Sequence, residues 1–235
     1  MKKGKKILII LTLSSTMLVS SACEHIKNFS DTVNNIYNEF MQLDNIMFKT
    51  NNGELVKADT SSDIAVVVKT LATEEEKQEI INAINEINKM SPNIDYVFIE
   101  DASFGYQNYI EIYTGQQLPY DNAYGMFYNA INHETASFKY PLRIDIDQDA
   151  QILTSDQKPL FAQTIKHELM HTLGFKDLES EIYYGKSIMS YHGVTYRYTS
   201  FDKQNIATVY GTEEKEDQPT ATKKQPYKKQ EEYEM

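Results

Sequence analysis

One segment constrains this chain more than any other: Thr164-Ile-Lys-His167-Glu168-Leu-Met-His171-Thr-Leu-Gly174-Phe-Lys-Asp177. Phe161, Ile165, Leu169 and Leu173 recur at four-residue steps, which gives a helix one core-facing stripe. His167 and His171 stand at i and i+4, so they lie one above the other on the opposite face. Thr154-Ser155-Asp156 reads as a helix-start cluster, and Pro159 is tolerated in a first turn. The helix is therefore expected to run to about Leu173. Gly174, free to take a positive φ, ends it and lets the chain turn sharply.

Two imidazoles placed this way can share one ion. Neutral imidazole suits Zn²⁺, which takes nitrogen and sulfur ligands in a tetrahedral shell. Glu168 follows the first histidine and can reach a metal-bound water. The turn at Gly174 can bring Asp177 back toward the metal as a third ligand. The plain alternative is two histidines on a polar helix face with an incidental glutamate between them.

The segment resembles the metzincin zinc motif, H-E-x-x-H-x-x-G-x-x-H, with aspartate in the last place as in the snapalysin branch. Downstream, Ser187-Ile-Met189-Ser-Tyr191 resembles the Met-turn in its serralysin and astacin versions. Thr199 to Gly211 is similar to the C-terminal helix of matrixins and serralysins, which often ends in Tyr-Gly. The resemblance is specific over residues 160–211 and only architectural over 60–150. It implies one catalytic zinc held by His167, His171 and Asp177, with Glu168 as general base. It places Met189 beneath the site, and Tyr191 where the side chain ligates zinc or donates to the transition state. The implied activity is hydrolysis of protein or peptide substrates. The implied fold is α+β: a mixed, mostly parallel sheet with an antiparallel edge strand that pairs with the substrate backbone, a zinc helix, a Met-turn and a C-terminal helix.

Two rival readings stand beside this one. The first is a non-catalytic surface lipoprotein that keeps the fold as a binding module; the intact Glu168 argues against it. The second takes a glutamate as third ligand, but Glu179 and Glu181 follow the helix too closely for the usual return from a second helix. His192 reads as a solvent-facing loop residue, with lining of the substrate pocket or contact with the metal as its alternative, while His133 and His25 have no supporting spacing. Asp145, Asp147 and Asp149 resemble the start of a calcium loop without its glycine, Ala150 standing there. They read as a strand's polar face, with a weak calcium site as the alternative.

The rest of the domain, placed at 59–211, reads as strand, helix, then strands. Ile64–Lys69 is a short buried-strand run. Thr73 and Glu76 form a capping box, Ile80, Ile84 and Ile87 give the helix behind it a core stripe, and Pro92 lies past its end. Ile94–Ile99, Tyr109–Tyr113, residues 124–129 and Leu142–Ile146 are the further strands, with 124–129 expected at the edge. A final helix around Phe201 to Tyr210 is expected to be capped by Ser200 or Asp202 and to end at Gly211.

The flanks carry location rather than chemistry. Residues 1–22 read as a signal peptide: four lysines, an apolar run from Ile7 to Val19, then Ser20-Ser21-Ala22. Small residues before Cys23 resemble the lipobox of bacterial lipoproteins, with Ser20 where leucine is usual. Lipidation of Cys23 would anchor the domain to the outer face of a bacterial membrane; simple secretion is the alternative. Residues 23–58 read as an N-terminal helix and linker, with apolar positions from Ile26 to Met47 on one helical face, Asn51-Asn52-Gly53 as a turn, and a pro-segment or coiled coil as sharper alternatives. Residues 212–235 are polar and charged and read as a disordered tail. Without residues 1–22 the chain keeps 19 basic and 34 acidic side chains, a net of −15, which does not suit nucleic acid. A single cysteine excludes an internal disulfide, and a monomer is expected.

Overall fold

The β-branched runs of the sequence form a five-stranded sheet. The computed structural model describes residues 43–100, 105–120, 123–154, 158–190 and 195–212. In chain order these form α1 (Leu43–Ile46), β1 (Ile64–Val68), α2 (Glu74–Asn88), β2 (Tyr96–Ile99), β3 (Tyr109–Gln116), β4 (Gly125–Tyr128), β5 (Ile131–Asn132), β6 (Ser137–Phe138), β7 (Leu142–Asp147), α3 (Leu160–Thr172), a 3₁₀ turn (Glu181–Tyr183) and α4 (Ser200–Tyr210). The sheet order is β2-β1-β3-β7-β4. The first four strands are parallel, and β4 runs antiparallel to β7 at the edge. This is the α+β architecture expected, with the edge strand inside residues 124–129.

β1 is buried along almost its whole length, as a near-continuous aliphatic strand in a parallel sheet should be. Ile110 and Ile112 of β3 register with Leu142 and Ile144 of β7, all fully buried. The opposite face is polar. Arg143 holds Asp145 through two hydrogen bonds (2.7 and 2.8 Å) and lies 4.4 Å from the Tyr113 ring centroid. Asp147 accepts from the backbone N–H groups of Leu118 and Asp149. Asp145 and Asp147 of the calcium alternative are thus engaged within the protein on β7, while Asp149 lies exposed in the turn that follows the strand. The capping box of Thr73 and Glu76 is formed, and Ile80, Ile84 and Ile87 enter the core.

Several local expectations are corrected. Of the helix expected between Ile26 and Met47, residues up to 42 lie outside the described residues; within them the helical stretch is Leu43–Ile46. From Met47 the chain is extended because its backbone pairs elsewhere: Met47 bridges Phe175, and Lys49 bridges Leu55 across a turn at Asn51-Asn52-Gly53. Residues 43–58 form a hairpin strap whose Ile46, Met47, Val56 and Ala58 belong to the main core. Helix α3 starts at Leu160, not at the Thr154 cluster, because Thr154 closes a loop by exchanging hydrogen bonds with Lys158. The cap of α4 is Thr199, with Asp202 as its reciprocal partner in a capping box. The two-residue strands β5 and β6 were not expected. Among the described residues, no helix is long and apolar enough to cross a membrane.

Candidate metal centre

Helix α3 carries the two histidines, and it is buried on nearly every side rather than on one stripe. Phe161, Ile165, Leu169 and Leu173 fill the core, while Thr164, Lys166, Glu168, His171 and Thr172 on other faces are buried too. All of these polar residues but Glu168 find a partner. Lys166 reaches Glu86 of α2 at 2.8 Å, and Thr172 meets the Tyr96 hydroxyl. Tyr210 of α4 donates to the carbonyl of Leu173 (2.6 Å) and accepts from the Ala58 N–H, tying both ends of the domain to the end of α3.

Each imidazole is oriented by a backbone carbonyl. His167 Nδ1 lies 2.9 Å from the Ile188 oxygen and His171 Nδ1 2.7 Å from the Phe175 oxygen. A carbonyl only accepts, so both Nδ1 atoms carry the proton and both Nε2 atoms turn inward. Support of this kind is what fixes a metal-ligating histidine. The ring of Phe127, from β4, stacks on His171 at 5.6 Å and 11°. Phe48 of the strap lies 5.9 Å from the same ring.

Gly174 then does what its position requires. Its φ is +97°, and a Cβ there would strike the carbonyl oxygen of Val56. The turn brings Asp177 back to the helix. Asp177 Oδ1 is 2.9 Å from His167 Nε2 and 3.6 Å from His171 Nε2. Two pairings clamp this carboxylate from either side. Lys176 N–H donates to the Ile46 carbonyl in the strap, and Leu178 N–H donates to the Met189 carbonyl. Glu179 and Glu181, the rival ligands, are exposed.

Met189 is buried in the turn Ser187–Ser190. Asp202 of α4 organises that turn, accepting from Ser187 Oγ and from Ile188 N–H. The peptide unit it holds is adjacent to the carbonyl that orients His167, so the C-terminal helix reaches the site through one residue. Burial pushes the Asp202 carboxyl up despite its four donors. Tyr191 and His192 lie outside the described residues, as do Cys23, residues 1–22 and the tail beyond 212.

Glu168 sits beside the histidines; one ligand atom each of His167, Glu168 and His171 all lie within 4.8 Å of one another. That group does not include Asp177, whose approach to the site is given by its two distances to the histidine Nε2 atoms. Strand β4 passes so close that a Cβ on Gly125 would meet Glu168 Oε1 and would lie 2.7 Å from Thr164 Cγ2. Glu168 Oε2 is buried with no hydrogen-bond partner. Burial pushes this carboxyl up to about 7, against the opposing pull of His167. Burial lowers His171 to about 4. Burial also works against protonated His167, but the Asp177 hydrogen bond and the charges of Glu168 and Asp177 outweigh it and lift His167 to about 9. Burial alone would raise Asp177; its hydrogen bond to His167 and the two histidine charges bring it below its ordinary value.

These residues fit a zinc ion. Donor atoms sharing a tetrahedral ion at bonds of about 2.0–2.2 Å lie roughly 3.4 Å apart, and the two Nε2–Oδ1 distances of 2.9 and 3.6 Å bracket that. The orphaned Glu168 Oε2 is the second sign, since a buried carboxylate oxygen without a donor calls for an ion or a water at that place.

The sequence reading missed Phe127, Phe48, Gly125 and the second role of Asp202. Only Gly125 carried a local signal, as a glycine at the start of a strand, where close backbone approach is one explanation.

No family model matches the chain, and no curated protein does. Among solved structures the chain is similar to myroilysin, at 16% identity and a TM-score of 0.42, over 67% of this chain and 97% of that one. A second myroilysin structure gives 17% and 0.40, over 66% and 86%. High choriolytic enzyme 1, a hatching-enzyme zinc-protease of the medaka fish Oryzias latipes, gives 13% and 0.38, over 73% and 97%.

Proposed function

We propose that this protein is a zinc-dependent endopeptidase working outside the cytoplasm. In this reading His167, His171 and Asp177 hold the ion and Glu168 moves the proton. One juxtaposition carries it: the Nε2 atoms of both histidines face a single carboxylate oxygen, with the unpartnered Glu168 Oε2 beside them. Zinc, when bound, supplies Lewis-acid polarisation and a water acidified to about pKa 7.

The chain's own residues do the rest. Glu168 takes the proton of the attacking water and returns it to the leaving amine. Its burial favours that role, because a carboxyl raised toward neutrality both accepts and releases a proton with little cost. Asp177 offsets part of the ion's charge, leaving about +1 at the centre. The outer edge of β4 offers backbone groups to an extended substrate, and Gly125 keeps that strand against α3. Tyr191, two residues after Met189, is assigned as a hydrogen-bond donor to the developing oxyanion.

Elemental analysis should find about one zinc per chain, and the zinc-loaded protein should digest casein until a chelator is added. Folded protein that never takes up zinc would overturn the assignment. The lipobox-like approach to Cys23 supports a lipid anchor on the outer face of a bacterial membrane. A diacylated mass at the native N-terminus is expected; an unmodified cysteine on protein free in the medium means secretion instead.

A further inference from the structure

We infer that the strap of residues 43–58 is a positioning device for the metal site, with Phe48 as its central residue. This inference rests on the proposed His167, His171 and Asp177 ligand set.

Three observations place the strap there. Its first arm pairs with the very turn that carries the third ligand: Phe48 N–H donates to the Gly174 carbonyl at 2.8 Å, and Lys176 N–H donates to the Ile46 carbonyl at 2.9 Å. These bonds flank Phe175, which bridges Met47 and whose carbonyl orients His171. Next, the Phe48 ring packs on the rings of His171, Phe127 and Phe138, so one side chain touches a ligand, the edge strand and the β5–β6 hairpin. Finally, the second arm backs the turn. The Val56 carbonyl oxygen stands where a Gly174 Cβ would be, and Val56 N–H donates to the Phe48 carbonyl at 2.9 Å.

The geometry explains why such a device is needed. Asp177 follows a helix end by a few residues and its side chain is 46% exposed. Left to itself, a carboxylate on a short exposed turn would sample many orientations. The Leu178–Met189 pairing fixes one flank of Asp177, and the strap fixes the other. Residues 43–58 therefore belong to the working domain, and a cleavage that released them would take the metal site with it.

The test uses the full-length protein and measures zinc affinity by competition with a chromophoric chelator. Loss of a residue supporting a ligand typically costs about 10–100-fold in affinity. Phe48→Ala is expected to fall in that range, and Phe48→Tyr, which keeps the ring, to stay within about threefold of wild type. Ile80→Val in the α2 core is the control for general destabilisation and should leave affinity unchanged. Combined with Asp177→Ala, the Phe48→Ala loss should shrink, because part of what the strap positions is already gone. Wild-type affinity in Phe48→Ala, or a loss equally large with and without Asp177, overturns the inference while the metal site stands. Failure of the wild-type protein itself to bind zinc overturns the ligand set and this inference with it.

Discussion

At the scale of single residues, the proposed mechanism divides holding an ion from moving a proton. His167 and His171 present Nε2 to Asp177, whereas Glu168 keeps an oxygen with no partner at all. Glu168→Ala should therefore retain zinc and lose about 10²–10⁴ in turnover. Asp177→Ala should lose zinc first and activity only as a consequence, so excess zinc should restore part of it. Zinc affinity and casein turnover measured on both variants check the division; equal zinc loss in the two would collapse it. The juxtaposition of these four residues was legible in the sequence because it is local. A helix puts i and i+4 on one face, and a glycine ends it sharply enough to return the third residue beyond. Phe127, Phe48 and Asp202 were not legible, because each reaches the site from an element far away in sequence. No spacing rule says which phenylalanine will stack on His171.

At the scale of elements, the site is made by close approach. Strand β4 can lie on α3 only because residue 125 has no side chain, the space being taken by Glu168 and Thr164. Gly125→Ala should force β4 away from the helix or push Glu168 out of place. Overpacking of this kind costs about 1–3 kcal/mol, and displacement of Glu168, the proposed proton carrier, should lower turnover further than the stability loss explains. Urea melts and casein turnover on the same variant test this; an unchanged melt with full activity would mean that the strand has room to spare. The long elements were readable beforehand because their periodicity is strong: β1, α2 and β7 fall within a residue or two of their expected limits. The strap and the β5–β6 hairpin were not, since the strap pairs through isolated bridges and each hairpin strand is two residues long, and no period can show in so few. The start of α3 was misplaced for a related reason. Thr154 is chemically a good cap, but its hydrogen bonds go to Lys158 in a loop that precedes the helix.

At the scale of the whole molecule, the proposed zinc site would join folding, protonation and metal binding in one linked equilibrium. Without metal, His167 keeps a proton on Nε2 up to about pH 9, held between that nitrogen and Asp177 Oδ1 at 2.9 Å. Zinc needs the same lone pair and the same place, so binding must release that proton. Affinity should then rise about tenfold per pH unit up to about 9 and level off above it. Below about 7 a second proton adds to the slope, because Glu168 is also protonated there and a nearby cation expels it. His171 contributes nothing in this range, its pKa being lowered to about 4. The stability of metal-free protein follows with the opposite sense. His167 is raised above its unfolded value of 6.5, so its contribution is complete below that pH and is lost as pH climbs through 9. Glu168 is raised from 4.5, so ionising it in the buried site costs stability between about 4.5 and 7. Chelator-treated protein should therefore melt at a lower temperature at pH 9 than at pH 7. Zinc-bound protein should not, since ion at a hundredfold over its Kd adds about 2.7 kcal/mol and binds more tightly as pH rises. Calorimetric titration of zinc in buffers of different ionisation enthalpy counts the released protons, and thermal melts with and without chelator give the stability limb. A zinc affinity that is flat from pH 7 to 9 would mean that no proton stands in the ion's place, and the pairing of His167 with Asp177 would have to be reassigned to a fixed ion pair outside the metal shell.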